Sequence, residues 1–280
     1  MSRPSSLEER NALGLALGRI AIAAGKPVLD LYQTGAAVTT KSDASPVTEA
    51  DLAAEKVILE ELSIFLPGIT IVSEEQPRVR ALAPDKPFVL VDPLDGTREF
   101  IAKRDEFTIN IAVIAQGRPL AGAVYAPSLG QLWYSGSESF KLQITPGAEI
   151  GRDHHARPIR VRHPPPAKLV ALVSRSHRDP ATEAFLARLS LLECQPMGSS
   201  LKFCRLAEGG ADLYVRLGPT HEWDTAAGDA ILSAAGGQVV DPGGAPLRYG
   251  KAEAGFRHAG FVASGGFEHP GGKDASPPPP

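Results

Sequence analysis

The sequence predicts an α/β (α+β) protein in which helices are layered on a mixed or antiparallel sheet, in two lobes that share a cleft. Three observations predict this class. Two segments with helical periodicity come first, and several short apolar runs separated by turn residues follow them. Residues 151–166 are rich in histidine, arginine and proline, which favours a boundary between lobes. We therefore expect one lobe over residues 1–160 and a second over residues 161–264.

Composition argues against several classes of protein. The 280-residue chain has a formal net charge of -3, which gives no electrostatic case for a nucleic-acid polymer as partner. The two cysteines, Cys194 and Cys204, lack the spacing of a zinc site and are expected to be reduced core thiols. The N-terminal segment lacks the continuous apolar run of a signal peptide or membrane span, so a cytoplasmic protein is expected.

The first two predicted helices begin with capping residues. Residues 6–9 are Ser-Leu-Glu-Glu, the spacing of a capping box, and their helix is expected to run to about Leu31. Thr48 and Asp51 form the cap and first turn of a second helix, which Pro-Gly at residues 67–68 ends. Taken alone, Asp51 is explained by the favourable interaction of a carboxylate with a helix N-terminus.

Carboxylates end two predicted strands. Residues 69–72 form an apolar run that ends in Ser-Glu-Glu at 73–75, and residues 88–92 form another that leads into the string DPLDGT at 92–97. In open α/β sheets, ligands bind at the carboxyl ends of the strands. Because neighbouring carboxylates repel each other without a cation, two acidic strand ends close in sequence indicate a bound cation.

Further strands follow in a meander, and the second lobe alternates strands with helices. A hairpin is predicted from residues 107–115 and 120–126. The remaining predicted elements are strands at 131–135, 169–173 and 212–217, and helices at 180–192 and from Asp224 to about residue 235. Residues 265–280 are rich in glycine and proline and are expected to form a disordered tail.

Residues 198–203, Gly-Ser-Ser-Leu-Lys-Phe, combine small residues, hydroxyls and a lysine. Such a loop lets backbone and ammonium groups approach a phosphate. The same string is also an ordinary helix start, and both interpretations stay open on the residues alone.

Four carboxylates stand at the ends of predicted strands or at a helix start, with a main-chain carbonyl between two of them: Glu74, Asp92, Asp95 and Asp224, with the carbonyl of Leu94. Carboxylates and a carbonyl, without histidine or cysteine, are the ligands that Mg²⁺ and Mn²⁺ prefer. Such a set predicts phosphoester hydrolysis assisted by more than one metal ion.

The attacking water also needs a proton acceptor. The Thr97 hydroxyl is too weak a base at neutral pH, but Asp51 can orient it and take up the proton through it. The helix starts expected near Gly96 and near Thr225 offer backbone donors to phosphate oxygens.

Three separated motifs resemble the inositol-monophosphatase superfamily of lithium-sensitive, magnesium-dependent phosphatases. They are VSEE at residues 72–75, DPLDGT at 92–97 and WDTAAG at 223–228, in the order that this superfamily has. Four softer strings are similar to the bacterial 3′(2′),5′-bisphosphate nucleotidases of the CysQ type: KSDASPVT at 41–48, EFI at 99–101, SRSH at 174–177 and GSSLKFC at 198–204.

The resemblance implies a layered α/β/α/β/α sandwich and a metal-dependent active site. Two or three Mg²⁺ ions, with Mn²⁺ as a substitute, would be held by Glu74, Asp92, Asp95, Asp224 and the Leu94 carbonyl. Asp51 and Thr97 would activate the water, with Glu74 as a third catalytic residue. The substrate would contact residues of both lobes: Leu94, Asp95, Gly96, Thr97, Ser199, Lys202 and Asp224.

The nucleotidase resemblance implies hydrolysis of the 3′-phosphate of adenosine 3′,5′-bisphosphate to AMP and phosphate, with 3′-phosphoadenosine 5′-phosphosulfate as a second substrate in sulfur assimilation. Lys202, His177 and Arg175 are candidates for contacts with the second phosphate or the base. Two alternatives stay open, a phosphatase of inositol or sugar phosphates and a non-catalytic metal-dependent sensor of nucleotides or phosphate. A homodimer and peripheral association with the inner face of the membrane also stay open.

Overall fold

A computed structural model of the chain describes residues 6–41, 45–76, 81–83, 86–151, 153–163, 166–176 and 178–266. The helices within them are α1 (Leu7–Thr34), α2 (Glu49–Phe65), α3 (Thr97–Ile101), α4 (Pro180–Leu186), α5 (Leu201–Ala207) and α6 (Glu222–Ala234), with a 3₁₀ turn at Ala252–Ala254. The strands are β1 (Val38–Thr40), β2 (Pro46–Thr48), β3 (Thr70–Ser73), β4 (Phe88–Asp95), β5 (Thr108–Ala115), β6 (Arg118–Ala126), β7 (Gln131–Ser135), β8 (Ser139–Gln143), β9 (Arg157–Pro158), β10 (Leu169–Ser174), β11 (Leu191–Met197), β12 (Leu213–Arg216), β13 (Thr220–His221), β14 (Gln238–Val240), β15 (Arg257–His258) and β16 (Phe261–Ser264). Residues 267–280 of the predicted disordered tail lie outside the described residues.

The first helix starts as the sequence predicts. Ser6 Oγ accepts a hydrogen bond from Glu9 N (3.0 Å), and Glu9 Oε2 accepts one from Ser6 N (3.1 Å), which completes the capping box. The helix continues beyond Leu31 to Thr34. Its apolar side packs against α2, β6 and β7 in the core of the protein.

By length and composition alone, α1 is apolar enough to cross a membrane, with a mean hydropathy of 1.5 over an 18-residue window. The prediction that the N-terminal segment lacks such an apolar run was therefore wrong. Inside the fold, 56% of that window is buried. Leu17, Ala21 and Ala24, for example, have no exposed surface. A helix in a protein core needs the same apolar residues as a membrane span, so packing accounts for the composition of α1.

The larger sheet has the strand order β3-β4-β5-β6-β7-β8-β9. β3 and β4 are parallel and the other neighbours are antiparallel, so the sheet is mixed, as the sequence predicts. The β5–β6 hairpin turns on Gln116 and Gly117, which both have positive φ. The predicted hairpin is confirmed, but its connection is two residues long rather than the four of residues 116–119, because Arg118 and Pro119 already pair with β5.

The smaller sheet has the strand order β11-β10-β12-β16-β14, with β10 parallel to β11 and to β12. The helix predicted over residues 180–192 ends at Leu186, and β11 begins at Leu191. That prediction was wrong, because the helical spacing of Phe185, Leu186 and Leu189 does not continue. Leu191 pairs with Leu169 of β10 as the first residue of β11. Leu189 and Leu191 contact the same apolar cluster as Phe185, Leu189 from the connection and Leu191 from the strand.

The two cysteines lie in different environments. Cys204 is buried on α5, as predicted for a core thiol. Cys194 is exposed, which contradicts the prediction. The reason is its position on β11, which is the edge strand of the smaller sheet and is mostly outside the core.

Helices and sheets alternate in five layers. Val89 and Val91 of β4 pack in a cluster with α1 and α2, whereas Leu90 faces the opposite cluster, which contains α5 and α6. From the smaller sheet, Leu172 joins the cluster of α5 and α6, and Val173 faces α4. The order is α1–α2, larger sheet, α5–α6, smaller sheet, α4, which is the sandwich that the resemblance implied. The division of the chain into two lobes stays a prediction.

Candidate active site

The two acidic strand ends lie side by side at one edge of the larger sheet. β3 and β4 are parallel with Ser73 opposite Val91, and Glu74 N donates to Val91 O (3.1 Å) directly beyond β3. Asp92 and Asp95 belong to the last four residues of β4. Parallel pairing thus brings carboxylates from two strands to the same edge.

Asp224 is on α6, whose first turn completes this edge. The helix starts at Glu222, two residues before the predicted start, so Thr225 lies within the first turn and its hydroxyl donates to Glu222 O (3.2 Å). The predicted start is therefore two residues late, and Asp224 and Thr225 both lie in the first turn, as expected of residues at a helix start. Asp224 Oδ2 accepts hydrogen bonds from His221 N (3.0 Å) and from the Thr220 hydroxyl, which orient the carboxylate.

Glu74, Asp92 and Asp224 form an acid cluster, in which one carboxylate oxygen of each residue lies within 4.8 Å of the others. The cluster joins β3, β4 and α6, and Asp92 is only 1% exposed. All of its donors are carboxylate oxygens, which suit Mg²⁺ or Mn²⁺ better than zinc or copper.

Burial disfavours the charged form of these carboxylates. It is the main cause that raises the pKa of Glu74 to about 7, with Lys41 opposing the shift and Asp224 adding to it. The pKa of Asp92 is raised well above its usual range, first by burial and then by Glu74 and Asp95. A divalent cation between the carboxylates removes this repulsion, so the residues present fit a metal site.

Lys41 belongs to the site, although no role for it was predicted from the sequence. Its Nζ donates to Glu74 Oε1 (2.8 Å) and Glu75 Oε1 (2.6 Å). Burial lowers the pKa of Lys41, but the two carboxylates more than offset this and raise it above its usual value. Lys41 therefore supplies positive charge beside the acid cluster.

Asp95 lies beside the acid cluster. Its Oδ2 accepts hydrogen bonds from Ser200 Oγ (2.7 Å) and Asn110 Nδ2 (3.3 Å). Burial, with the charge of Asp224, raises the pKa of Asp95 to about 6. Within the described residues, the side-chain hydrogen bonds of Asp95 fall on Oδ2, so Oδ1 is the oxygen left for a cation.

Thr97 and Asp51 are in contact, as the proposed water-activating pair requires. Thr97 Oγ1 lies 3.3 Å from Asp51 Oδ1 and 3.1 Å from Leu94 O. Asp51 Oδ2 accepts hydrogen bonds from the backbone N–H (2.8 Å) and hydroxyl (2.7 Å) of Thr48. The helix cap therefore uses one oxygen of Asp51 and the contact with Thr97 uses the other. Burial raises the pKa of Asp51 above its usual value.

Gly96 is needed by the backbone between β4 and α3. It has φ of 93°, in the left-handed region, and a Cβ there would lie 2.9 Å from Glu106 O. The turn that this glycine permits places Asp95 and Thr97 on its two sides.

The acid cluster lines a cavity of about 320 Å³. Residues that the sequence placed at the site also line it: Leu94, Asp95, Gly96, Thr97, Ser199 and Lys202. Three arginines on its wall were not predicted as substrate contacts: Arg98, Arg216 and Arg257. They belong to no shared motif, because each lies near the end of a different element.

Lys202 is on the cavity wall but mainly binds backbone. Its Nζ donates to Ser199 O (2.6 Å) and Met197 O (3.0 Å), and it lies 4.9 Å from the centre of the Tyr214 ring. Burial lowers the pKa of Lys202 to about 8. An ammonium group has three donors, so one remains for a ligand.

Arg175 and His177 are the other two residues that were predicted to contact the second phosphate or the base. Arg175 forms a bidentate pair with Glu106 (2.9 and 2.8 Å), and it is not among the described residues that line the cavity. This arrangement gives no support to a phosphate contact by Arg175. His177 lies outside the described residues.

Comparison with known proteins identifies the family. The model of the inositol monophosphatase family matches residues 13–264 of the chain. The chain belongs to this family. Since the family is metal-dependent, the acid cluster is the place among the described residues where this member could hold its metal.

Curated relatives and solved structures of the inositol monophosphatase family are similar to this chain in sequence and in fold. The 3′(2′),5′-bisphosphate nucleotidase CysQ of Escherichia coli O157:H7 is 42% identical over 244 residues, which cover 86% of this chain and 95% of the relative. CysQ from Bacteroides thetaiotaomicron, a bacterial member of the family, has a TM-score of 0.79 at 32% identity, covering 92% of this chain and 98% of that one. The extragenic suppressor protein suhB from Bartonella henselae has a TM-score of 0.71 at 26% identity, covering 90% and 93%.

Asn110 and Ser200 are further residues of this family member's site that were not assigned a role from the sequence. Both are buried, and both contact Asp95. A signal for Asn110 was present, because it is a polar residue in an apolar strand. Ser200 had no such signal within a string that is also an ordinary helix start.

Proposed function

We propose that this inositol monophosphatase family member hydrolyses the 3′-phosphate of adenosine 3′,5′-bisphosphate to AMP and phosphate, with Mg²⁺ as its cofactor. 3′-Phosphoadenosine 5′-phosphosulfate is the expected second substrate. The proposal is supported by relatives that are 42–43% identical and carry the name 3′(2′),5′-bisphosphate nucleotidase.

One observation favours a bisphosphate over a monophosphate as the substrate. The acid cluster and several cationic side chains line the same cavity. The cations are Arg98, Lys202, Arg216 and Arg257. A metal at the acid cluster suits one phosphate, and guanidinium groups suit a second, because they bind phosphate oxygens through two parallel hydrogen bonds. Inositol monophosphate has one phosphate and a neutral ring, so it would leave the arginines without an anionic partner.

The metal would be held by the acid cluster, with Asp95 and the Leu94 carbonyl as further ligands. Mn²⁺ is expected to substitute for Mg²⁺, since both prefer oxygen donors. When bound, the metal stabilises the charge of the phosphoryl group and lowers the pKa of water. Lys41 keeps Glu74 in place through its 2.8 Å contact, and Glu74 stays the proposed third catalytic residue.

Thr97 and Asp51 are proposed to move the proton. The Thr97 hydroxyl can pass its proton to Asp51 Oδ1, 3.3 Å away, while it accepts one from the attacking water. Asp51 Oδ2 stays bound to Thr48 during this transfer, so the side chain keeps its orientation. The remaining proposed substrate contacts are Leu94, Asp95, Gly96, Thr97, Ser199, Lys202 and Asp224.

We place this enzyme in the cytoplasm, where its soluble nucleotide substrate would be found. The burial of α1 supports this proposal, because its apolar side packs against α2 and the larger sheet inside the protein. Its substrate is a small phosphorylated nucleotide rather than a nucleic-acid polymer.

Phosphate release from matched substrates tests the proposal. With Mg²⁺, the protein is expected to release phosphate from adenosine 3′,5′-bisphosphate many times faster than from inositol 1-phosphate, and to stop when a chelator removes the metal. Arg216→Ala should reduce the rate on the bisphosphate and spare the rate on adenosine 3′-monophosphate, which lacks the second phosphate. Preference for inositol 1-phosphate would indicate a sugar-phosphate phosphatase. Negligible turnover of every substrate would indicate a metal-dependent binding protein.

A further inference from the structure

Asn110 and Ser200 form a buried hydrogen-bond network behind Asp95. Ser200 Oγ lies 2.7 Å from Asp95 Oδ2 and 2.9 Å from the main-chain oxygen of Asp224. Asn110 Nδ2 donates to Ser200 Oγ (2.9 Å) and to Asp95 Oδ2 (3.3 Å). Asn110 and Ser200 are 1% and 2% exposed. One hydroxyl group thus connects β4, β5 and α6.

The Ser200 hydroxyl has one proton to share between two acceptors. Asn110 occupies one of its lone pairs, because an amide nitrogen can only donate. Asp95 is the charged acceptor and the closer one, so the proton points toward its carboxylate and Asp224 O is the weaker partner. Asp95 Oδ2 therefore receives two hydrogen bonds, and the carboxylate cannot rotate without losing both.

Packing alone does not explain Asn110. Its neighbours on β5 are apolar and buried: Ile109, Ile111, Ala112, Val113 and Ile114. Asn110 Oδ1 is buried without a hydrogen-bond partner in the described part of the chain. An unsatisfied buried acceptor is unfavourable, so an apolar residue would suit a purely structural role better. What asparagine adds at this position is the two N–H donors of its amide, which bind Asp95 and Ser200.

We propose that Asn110 and Ser200 are positioning residues, which hold the Asp95 carboxylate as a metal ligand and lock it to the helix that carries Asp224. This inference rests on the proposed function, since it takes Asp95 and the acid cluster to hold the metal. With Oδ2 fixed, Oδ1 has one orientation toward a cation. Loss of the network would free the carboxylate and loosen the contact of β4 with α6.

Titration of the substrate-free protein with Mn²⁺ tests this proposal. Ser200→Ala removes only the hydroxyl, and Asn110→Leu replaces the amide by an apolar side chain with the same number of heavy atoms and the same branching. Each is expected to weaken Mn²⁺ binding by roughly ten- to a hundred-fold, as is typical when a partner of a metal ligand is lost. Calorimetry or the electron paramagnetic resonance of free Mn²⁺ measures this. The Mg²⁺ concentration for half-maximal phosphate release should rise by a similar factor, while KM for the nucleotide at saturating Mg²⁺ changes little.

Thr108→Val is the matched control. Thr108 is two residues away on β5, and its buried hydroxyl has no partner among the described residues, so Mn²⁺ affinity should not change. Thermal unfolding without metal checks that each variant folds, and Asn110→Leu decides the question if Ser200→Ala does not fold.

Three results would overturn the proposal: unchanged Mn²⁺ affinity in a folded donor variant, an equal loss in Thr108→Val, or a wild-type protein that binds no Mn²⁺. The proposed substrate can fail separately. If the wild type does not hydrolyse the bisphosphate but the donor variants still weaken Mn²⁺ binding, the positioning inference stands and the proposed function does not.

Discussion

At the residue scale, Asp92 shows how the fold makes the binding of a cation favourable, because it buries a carboxylate among other carboxylates. Burial is the main cause that raises the pKa of its carboxylate well above the usual range, and the charges of Glu74, Asp95 and Asp224 add to the shift. Lys41 offsets part of the negative charge from the side of Glu74. The remaining repulsion lowers the stability of the metal-free protein and favours the binding of a divalent cation.

Asp92→Asn should separate function from stability. The amide keeps the oxygen that accepts from Leu94 N (3.1 Å) and removes one buried negative charge. We expect phosphate release to fall by roughly 100-fold or more, since bound metal supplies several kcal/mol of transition-state stabilisation. The metal-free free energy of unfolding should rise, because the variant no longer buries a carboxylate whose pKa is raised by burial and by its acidic neighbours.

Steady-state kinetics and urea unfolding in the presence of chelator measure the two effects of Asp92→Asn. Asp229→Asn is its control, because Asp229 is a buried carboxylate of α6 that binds Ser233 (2.8 Å) and Tyr249 (2.9 Å) outside the acid cluster. It should retain metal-dependent activity per folded molecule. An active Asp92→Asn protein would remove Asp92 from the proposed metal ligands.

Sequence patterns suffice for residues whose role follows from their position on a strand or helix. Glu74 and Asp92 could be expected to meet, because parallel neighbouring strands end at the same edge of a sheet. Lys41 and Ser200 could not, since each acts through a contact with a residue far away in the chain. Their partners are determined by tertiary packing, which leaves no local pattern.

At the scale of the element, the segment that follows β14 holds the first turn of α6. Glu222 accepts hydrogen bonds from Gly250 N (2.6 Å) and Lys251 N (3.0 Å), and Glu222 N donates to Phe256 O (2.8 Å). Since Asp224 belongs to the same turn, this segment fixes one side of the acid cluster. His258 follows directly and accepts from Lys251 Nζ (2.7 Å).

His258 should make the protein less stable in acid. Burial, with Lys251 and His221, lowers its pKa to about 3, whereas its usual value is 6.5. Between these values the unfolded chain binds a proton that the folded protein does not, so stability falls as pH falls from 6.5 toward 3. This proton contributes at most about 1.4 kcal/mol per pH unit.

His258→Asn tests this contribution, because asparagine keeps an acceptor for Lys251 and does not titrate. Urea unfolding at several pH values between 7 and 4 measures the free energy of unfolding of both proteins. We expect a shallower decline in the variant, whatever its stability at pH 7. Parallel declines would show that His258 is not the group responsible.

Element boundaries show where local patterns mislead. Pattern alone extended α4 to residue 192, because Phe185, Leu186 and Leu189 have helical spacing. Leu191 contacts the same apolar cluster from β11, so burial in that cluster does not require the helix to continue. The cap of α2 was predictable, since Thr48 and Asp51 satisfy each other's donors within one turn. Local capping is visible in sequence, and the choice between helix and strand in a short apolar run is made by tertiary contacts.

In the whole molecule, charged contacts beside the cavity join the segment that follows β4 to the strand ends of the smaller sheet. Glu106, in the loop after α3, accepts hydrogen bonds from Arg175 (2.8 and 2.9 Å) beyond β10 and from Gly198 N (2.7 Å) beyond β11. Glu99 of α3 binds Ser176 in the same region. These contacts keep the strand ends of the smaller sheet next to the strand end that carries Asp95.

Helices packed on a sheet could be expected from periodicity, but the five-layer order came from the resemblance to a family. Strand patterns do not say which sheet a strand joins, and α6 packs between the two sheets with Ile231 buried in their shared cluster. That position brings Asp224 to Glu74 and Asp92. The site therefore depends on the packing of the whole molecule.

We propose that this packing forms a metal-dependent site for the 3′-phosphate of a nucleotide bisphosphate. Phosphorus NMR of adenosine 3′,5′-bisphosphate incubated with the protein and Mg²⁺ tests it most directly. We expect the 3′-phosphate signal to disappear while the 5′-phosphate signal remains, so that AMP and inorganic phosphate accumulate only when metal is present. Accumulation of adenosine 3′-monophosphate, or equal turnover in the presence of chelator, would contradict it.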